Sequence, residues 1–178
     1  DITVVDQDVA NVIVVAPGKT MLNEQGDTTS FQVRLATQPA TDVVISVTSS
    51  DTSECQPSVS SITLNAANWN TGVSVSINTV DDLNGDGNQT CTVVLGAASG
   101  DANYLGFDPA DVTVTIVDND TPGVLLTQSG GSTNVSEADT AATDSYSVVL
   151  NTQPASNVLI TLSYDSGQLN ISPASLTF

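Results

Sequence analysis

The segment TTSFQVRLATQPATDVVISV, residues 28–47, contains a strand pattern, a turn and a second apolar run. In its first part Phe31, Val33 and Leu35 alternate with polar residues, which is the period of a β-strand with one buried face. The same alternation recurs at three later places: Val73/Val75/Ile77, Val93/Leu95 and Val112/Val114/Ile116. No stretch shows a helical period with caps, so these patterns predict an all-β protein.

Three less regular apolar runs are further strand candidates: Val12–Val15, residues 43–47 and Ser61–Leu64. Together with the alternating segments they give about seven short strands separated by Gly, Pro, Asn and Asp, the spacing of an immunoglobulin-like antiparallel β-sandwich.

Parts of the sequence occur twice. TQPATDVVI (37–45) returns as TQPASNVLI (152–160), GKTMLNE (18–24) as GSTNVSE (131–137), and ITVVDQD (2–8) as VTIVDND (114–120). Similarity at a nearly fixed period indicates tandem repeats. We therefore expect 1–8 to be the last strand of a preceding repeat, 9–120 a complete repeat, and 121–178 the first half of a following repeat. Because half a sandwich leaves an apolar face uncovered, its expected partners are neighbouring repeats or identical subunits in a linear assembly.

The charge excludes several classes of function. The 178 residues include 20 acidic residues, only two basic residues and no histidine, for a net charge of −18. Binding nucleic acid or an anionic membrane surface requires a set of cationic side chains that this chain lacks. Acid–base and nucleophilic catalysis near neutral pH usually depends on His, Lys or Cys. We therefore expect a protein that is not an enzyme.

The segment VDDLNGDGNQT, residues 80–90, carries the sharpest local motif. Asp82, Asn84 and Asp86 are spaced by two and followed by Gly87, as at the start of a calcium-binding loop. Calcium takes six to eight oxygen ligands, which alternate side chains on a tightly turning loop can supply. Strand patterns flank the loop, so an EF-hand is not expected. The alternative is a hairpin turn with solvated carboxylates.

Further carboxylates are expected near this loop, because alternate loops of a sandwich gather at the same end. The expected set is Glu24, Asp51, Asp81, Asp82, Asp86, Asp118 and Asp120. Such a cluster would be unfavourable without a counter-ion, which favours bound calcium over a merely acidic, solvated surface. Both explanations remain open at the level of composition.

Three segments give the chain a family resemblance: NEQGDTTSFQVRL (23–35), SITLNAANWNTGVSVSINTVDD (61–82) and VTVTIVDND (112–120). They resemble the Calx-β family, which occurs in sodium–calcium exchangers, integrin-associated proteins and, in tandem, in large bacterial surface proteins. The resemblance implies an immunoglobulin-like fold with calcium at one end, held by the seven carboxylates named above. Gln89 stands where exchanger-like members of the family have a second acidic residue, and Asn119 interrupts the closing acidic run. Both departures imply fewer ions or weaker binding.

Cys55 and Cys91 lie toward the same predicted end, where they form either a disulfide or two buried free thiols. A disulfide would imply an oxidising compartment.

The expected function is that of a calcium-stiffened structural repeat in an extracellular adhesin or surface filament on a bacterial cell. The alternatives are a regulatory calcium sensor and an accessory module of a large secreted enzyme.

Overall fold

The structure, a computed structural model, describes residues 2–3, 7–139 and 141–178. The chain divides into two compact units. The first comprises Asp1–Asp82 and Gly87–Asn119, and the second comprises Leu83–Asp86 and Asp120–Phe178. The strand predicted at 2–5, and Asp6 beside it, lie outside the described residues except for Ile2 and Thr3.

The first unit is built from β-strands alone. In the described part of the chain they are β1 (Val12–Val15), β2 (Met21–Asn23), β3 (Thr28–Leu35), β4 (Val43–Ser49), β5 (Cys55–Pro57), β6 (Ser61–Leu64), β7 (Val73–Thr79), β8 (Gln89–Leu95), β9 (Ser99–Gly100) and β10 (Val112–Val117). Each of the seven predicted segments lies in one of these strands. β2, β5 and β9 are short additional strands.

The strands form two sheets. One has the order β1-β3-β7-β5, and the other has the order β2-β10-β8-β4-β6 with β9 also paired to β4. Apolar side chains from both sheets alternate inward and are fully or almost fully buried in one core. Phe31, Val33 and Leu35 of β3 contribute from one sheet, and Val93 and Leu95 of β8 from the other. This arrangement is all-β and consistent with a β-sandwich.

The expectation of purely antiparallel pairing is wrong at one place. β2 pairs with β10 in parallel, with Ile116 opposite Leu22 and Val117 opposite Asn23. The reason lies in the short connection after β1, which contains Pro17 and Gly18. β1 pairs with β3 in the first sheet, and after this interruption the chain continues as β2 beside β10 in the second sheet. A connection that changes sheets permits parallel pairing, whereas a tight hairpin imposes antiparallel pairing.

The second unit contains four further strands: β11 (Val124–Gln128), β12 (Tyr146–Leu150), β13 (Leu159–Thr161) and β14 (Ser175–Thr177). β11 pairs with β12 and β13 with β14, both antiparallel. A 3-10 turn at Ser129–Gly131 is the one helical element among the described residues. None of the described residues of this unit is buried. No helix in the described part of the chain is long and apolar enough to cross a membrane.

Candidate metal centre

Glu24 occupies a shielded position at one end of the first unit. It follows β2, and its backbone N–H donates to the carbonyl oxygen of Val117 at the end of β10 (3.1 Å). The parallel register of β2 and β10 thus places Glu24 beside the chain that leaves β10. The residue is only 5% exposed. A carboxylate buried to this degree normally has a charged or hydrogen-bonding partner.

The β7–β8 connection supplies the first partner of Glu24. The backbone N–H of Asp82 donates to Glu24 Oε1 (3.1 Å). The two side chains are also close, since a carboxylate oxygen of each lies within 4.8 Å of the other. Asp82 is partly buried. Two acidic side chains therefore share a poorly solvated space, where like charges repel strongly.

Asp118 is connected to the same loop by two hydrogen bonds. Gly87 N donates to Asp118 Oδ2 (2.7 Å), and Asp118 N donates to Asn88 Oδ1 (3.2 Å). Gly87 has a φ of 80°, a left-handed conformation that a residue with a side chain adopts only with strain. The glycine of the sequence motif thus allows the loop backbone to turn toward Asp118.

The electrostatics of Glu24 reflect this environment. Burial raises the pKa of its carboxyl group, and the charges of Asp82 and Asp118 raise it further. Hydrogen bonds from the backbone N–H groups of Asp82 and Asn119 act in the opposite direction without cancelling the rise. The folded chain therefore holds a carboxylate whose negative charge is destabilised, which is the condition that a bound cation relieves.

The predicted calcium ligands do not all lie in the same compact unit. Glu24, Asp82 and Asp118 come together in the first unit, and Asp81 is exposed on the loop beside them. Asp86 and Asp120 belong to the second unit. The role of all seven residues as ligands stays a prediction.

Asp51 has local partners. Ser53 N donates to Asp51 Oδ1 (3.0 Å), and the Ser53 hydroxyl donates to the same oxygen. These bonds hold the pKa of the Asp51 carboxyl below its usual range. The carboxylate thus acts as a cap for its own turn, a role that its sequence position did not reveal.

The sequence pattern did not indicate one further acidic residue at this end. Glu54 is only 7% exposed, and its carbonyl oxygen accepts a hydrogen bond from Val80 N at the start of the β7–β8 connection (3.0 Å). It falls outside the repeated segments and outside any spaced acidic motif. In the sequence, only its position between the predicted ligand Asp51 and Cys55 indicated that it lies at this end.

Cys55 and Cys91 form a disulfide, with their Cα atoms 6.2 Å apart and both side chains fully buried. Cys55 begins β5 in one sheet and Cys91 lies in β8 of the other. The bond therefore links the two sheets near the acidic end. Of the two alternatives for these cysteines, the structure contains the bridge, which is typical of oxidising compartments.

A second buried polar group lies around Asp101 and Tyr104. Asp101 Oδ2 accepts hydrogen bonds from the backbone N–H groups of Ala40 (2.7 Å) and Thr41 (2.9 Å). The Tyr104 hydroxyl donates to Thr37 O (2.7 Å) and accepts from Thr37 N (3.1 Å). These bonds satisfy the polar groups and fix the β3–β4 turn, so we assign them a structural role.

Comparison with known proteins does not assign this chain to a family. No family model matches the chain, and no curated protein matches it. A solved structure described as WR4, a C. elegans MSP family member, is similar over 62% of this chain and 98% of its own, with 13% sequence identity and a TM-score of 0.34. A likeness this distant says nothing about what this chain binds.

Proposed function

We propose that the two units are successive immunoglobulin-like repeats resembling the Calx-β family. The strand registers support this. Val12 pairs with Leu35 and Val14 with Val33 in the β1–β3 pair. Val124 pairs with Leu150 and Leu126 with Val148 in the β11–β12 pair. The repeat offset that relates the sequences therefore also relates the pairing of their strands.

A second set of strand pairs supports the same relationship. Val44 lies opposite Thr63 and Ile45 opposite Ile62 in the β4–β6 pair. Leu159 lies opposite Thr177 and Ile160 opposite Leu176 in the β13–β14 pair. The segment TQPASNVLI leads into β13 as TQPATDVVI leads into β4. Two independent registers thus follow the sequence repeat, which is a strong constraint because a slip by one residue would exchange the two faces of a strand.

We further propose that the complete repeat binds calcium at its acidic end. The observation that carries this proposal is the burial of Glu24 beside Asp82 and Asp118, with a raised carboxyl pKa. Hard oxygen ligands suit Ca²⁺, whose coordination geometry is flexible, better than Mg²⁺, which demands a stricter octahedral geometry. Zinc is disfavoured because histidine is absent and both cysteines are in the disulfide.

The remaining ligands are proposed from their places in the chain. Asp81 adjoins Asp82, and Asp120 follows Asp118 by two residues, a spacing that directs both side chains of an extended segment to one side. Asp86 belongs to the same spaced motif as Asp82. Asp51 accepts two hydrogen bonds from Ser53 at Oδ1, and a carboxylate that accepts such bonds can still offer an oxygen to the ion.

We propose that this repeat has a structural role outside the cell. Extracellular calcium-binding modules have dissociation constants of about 10⁻⁴–10⁻³ M, which suits an ion bound wherever the protein meets an external medium. The acidic residues at 118–120 lie in the chain between β10 and β11. An ion there would restrain that connection, so we propose a calcium-stiffened repeat of a surface adhesin or filament.

Thermal unfolding and solution scattering in calcium and in chelator test this function. Because binding is confined to the folded state, calcium at one hundred times its dissociation constant should stabilise the protein by about 2.7 kcal/mol. We expect a higher Tm and a more extended particle in calcium. Equal ionic strength from sodium chloride is the matched control. Identical melting curves and scattering profiles in calcium and in chelator would exclude the proposal.

A further inference from the structure

One edge of β12 in the second unit is open. β11 and β12 form a two-stranded sheet, and no strand in the described residues pairs with the other edge of β12. Asn151 N donates to Gly123 O (2.9 Å) and Ser129 N to Ser145 O (3.0 Å), so the odd-numbered residues from 145 to 151 face β11. Backbone groups alternate along a strand. Tyr146, Val148 and Leu150 therefore direct their N–H groups to the open edge.

The apolar face of this unit is also uncovered. Val124 is 56% exposed, whereas its repeat counterpart Val12 is 9% exposed. Val148 and Leu150 are half-exposed, whereas their counterparts Val33 and Leu35 are completely buried. An apolar surface combined with an unpaired strand edge is a surface that another strand can occupy.

The first unit shows what covers the equivalent edge. There β7 pairs antiparallel with β3, with Val75 opposite Phe31 and Val73 opposite Val33. The chain just before β7 also contributes, because Trp69 O accepts the hydrogen bond from Leu35 N (2.8 Å). The sequence of β7, VSVSINT, places Val75 and Ile77 in the core and Ser side chains on the other face.

We propose that the open edge of β12 binds an extended polypeptide segment with the sequence character of β7. The segment runs antiparallel to β12, with its Val73-equivalent opposite Val148 and its Val75-equivalent opposite Tyr146. A second copy of residues 1–178 cannot supply this strand, because its own β7 is held between β3 and β5. The inference rests on the repeat relationship proposed above, and it does not depend on calcium.

A synthetic peptide tests this directly. The probe is GVSVSINTV, residues 72–80, added to the whole protein, and the control peptide carries V73S, V75S and I77S. We expect saturable binding of the probe and binding of the control about a hundredfold weaker, because the control loses its buried apolar side chains. Amide hydrogen exchange should slow at residues 146 and 148 of β12, which lie opposite the Val75 and Val73 positions of the probe.

A variant of the protein provides the reciprocal control. Val148→Pro removes an N–H group from the open edge and leaves the amides of 147 and 149, which face β11, in place. We expect this variant to lose peptide binding while 147 and 149 keep their slow exchange. Equal binding of the two peptides, or protection outside β12, would overturn the proposal. So would a dimer formed without peptide in which 146, 148 and 150 are already protected, since that would assign the edge to a second copy.

Discussion

At the scale of single residues, the acidic end of the first unit is defined by one carboxylate that is costly to bury. Glu24 receives a hydrogen bond from Asp82 N but also lies beside the Asp82 and Asp118 charges. Its folded-state pKa is above its usual value, so the folded state keeps a proton that the unfolded state releases. Stability is therefore lost as the pH rises from the usual pKa of a glutamic acid to the higher pKa of folded Glu24. Above the folded-state pKa the full cost of burying the negative charge is present.

Glu24→Gln should therefore stabilise the calcium-free protein at pH 7.5. The amide oxygen can still accept from Asp82 N, whereas the repulsion is removed. Below the usual pKa of a glutamic acid the advantage should disappear, since wild-type Glu24 is then protonated in both states. Denaturant unfolding in chelator at several pH values measures this. A variant that is less stable than wild type throughout would show that Glu24 is only a hydrogen-bond acceptor.

Tyr104→Phe tests the other buried polar group. The change removes the hydroxyl that both donates to Thr37 O and accepts from Thr37 N. Leaving these buried groups without that partner should cost about 1–3 kcal/mol. Equilibrium unfolding of the first unit measures the loss, and Tyr164→Phe at a half-exposed site of the second unit is the matched control. Equal effects of the two changes would contradict the assignment.

At the scale of strands, the sequence predicted those strands that are long enough to show alternating apolar and polar residues. β3, β7, β8 and β10 were found because several inward residues alternate with polar ones. β2, β5 and β9 have only two or three residues each, too few to establish a period. The parallel pairing of β2 was also missed, since it depends on a change of sheet after Pro17 that no local pattern specifies.

Some residues of the predicted site could be found from their spacing in the sequence, whereas others depend on contacts that spacing does not reveal. Asp82 was predicted from its two-residue spacing to Asn84, and Glu24 from its recurrence as Glu137. The structure brings Glu24 and Asp82 together at one end of the first unit. Spacing could not reveal that Asp51 bonds to Ser53, because any loop carboxylate can cap its own turn. It also gave no weight to Glu54, which is buried although no spaced acidic motif includes it.

The disulfide should be a large term in the stability of the first unit. It closes a loop with a sequence separation of 36, so removing it should cost about 3–4 kcal/mol through the entropy of the unfolded chain. The double variant Cys55→Ala/Cys91→Ala, measured by denaturant unfolding, should show this loss. Wild type in reductant is the control, since it removes the bond without removing the sulfur atoms. Unchanged stability in both would contradict the role assigned to the bridge.

At the scale of the whole molecule, the net charge of −18 makes any cation attractive. Diffuse attraction of this kind is screened by salt, with a Debye length of about 8 Å at 0.15 M. A specific ion held by Glu24, Asp82 and Asp118 should persist under those conditions, because buried charges are screened much less. Ionic strength therefore separates a calcium site from a merely acidic surface.

Calcium titration by calorimetry in about 0.15 M sodium chloride tests the central claim most directly. Wild type should give a saturable isotherm, Glu24→Gln should lose it, and Glu137→Gln, the same change at the exposed repeat counterpart, should keep it. Magnesium at the same concentrations should give little heat. Absence of saturable calcium binding by wild type, or identical isotherms for wild type and Glu24→Gln, would contradict the account.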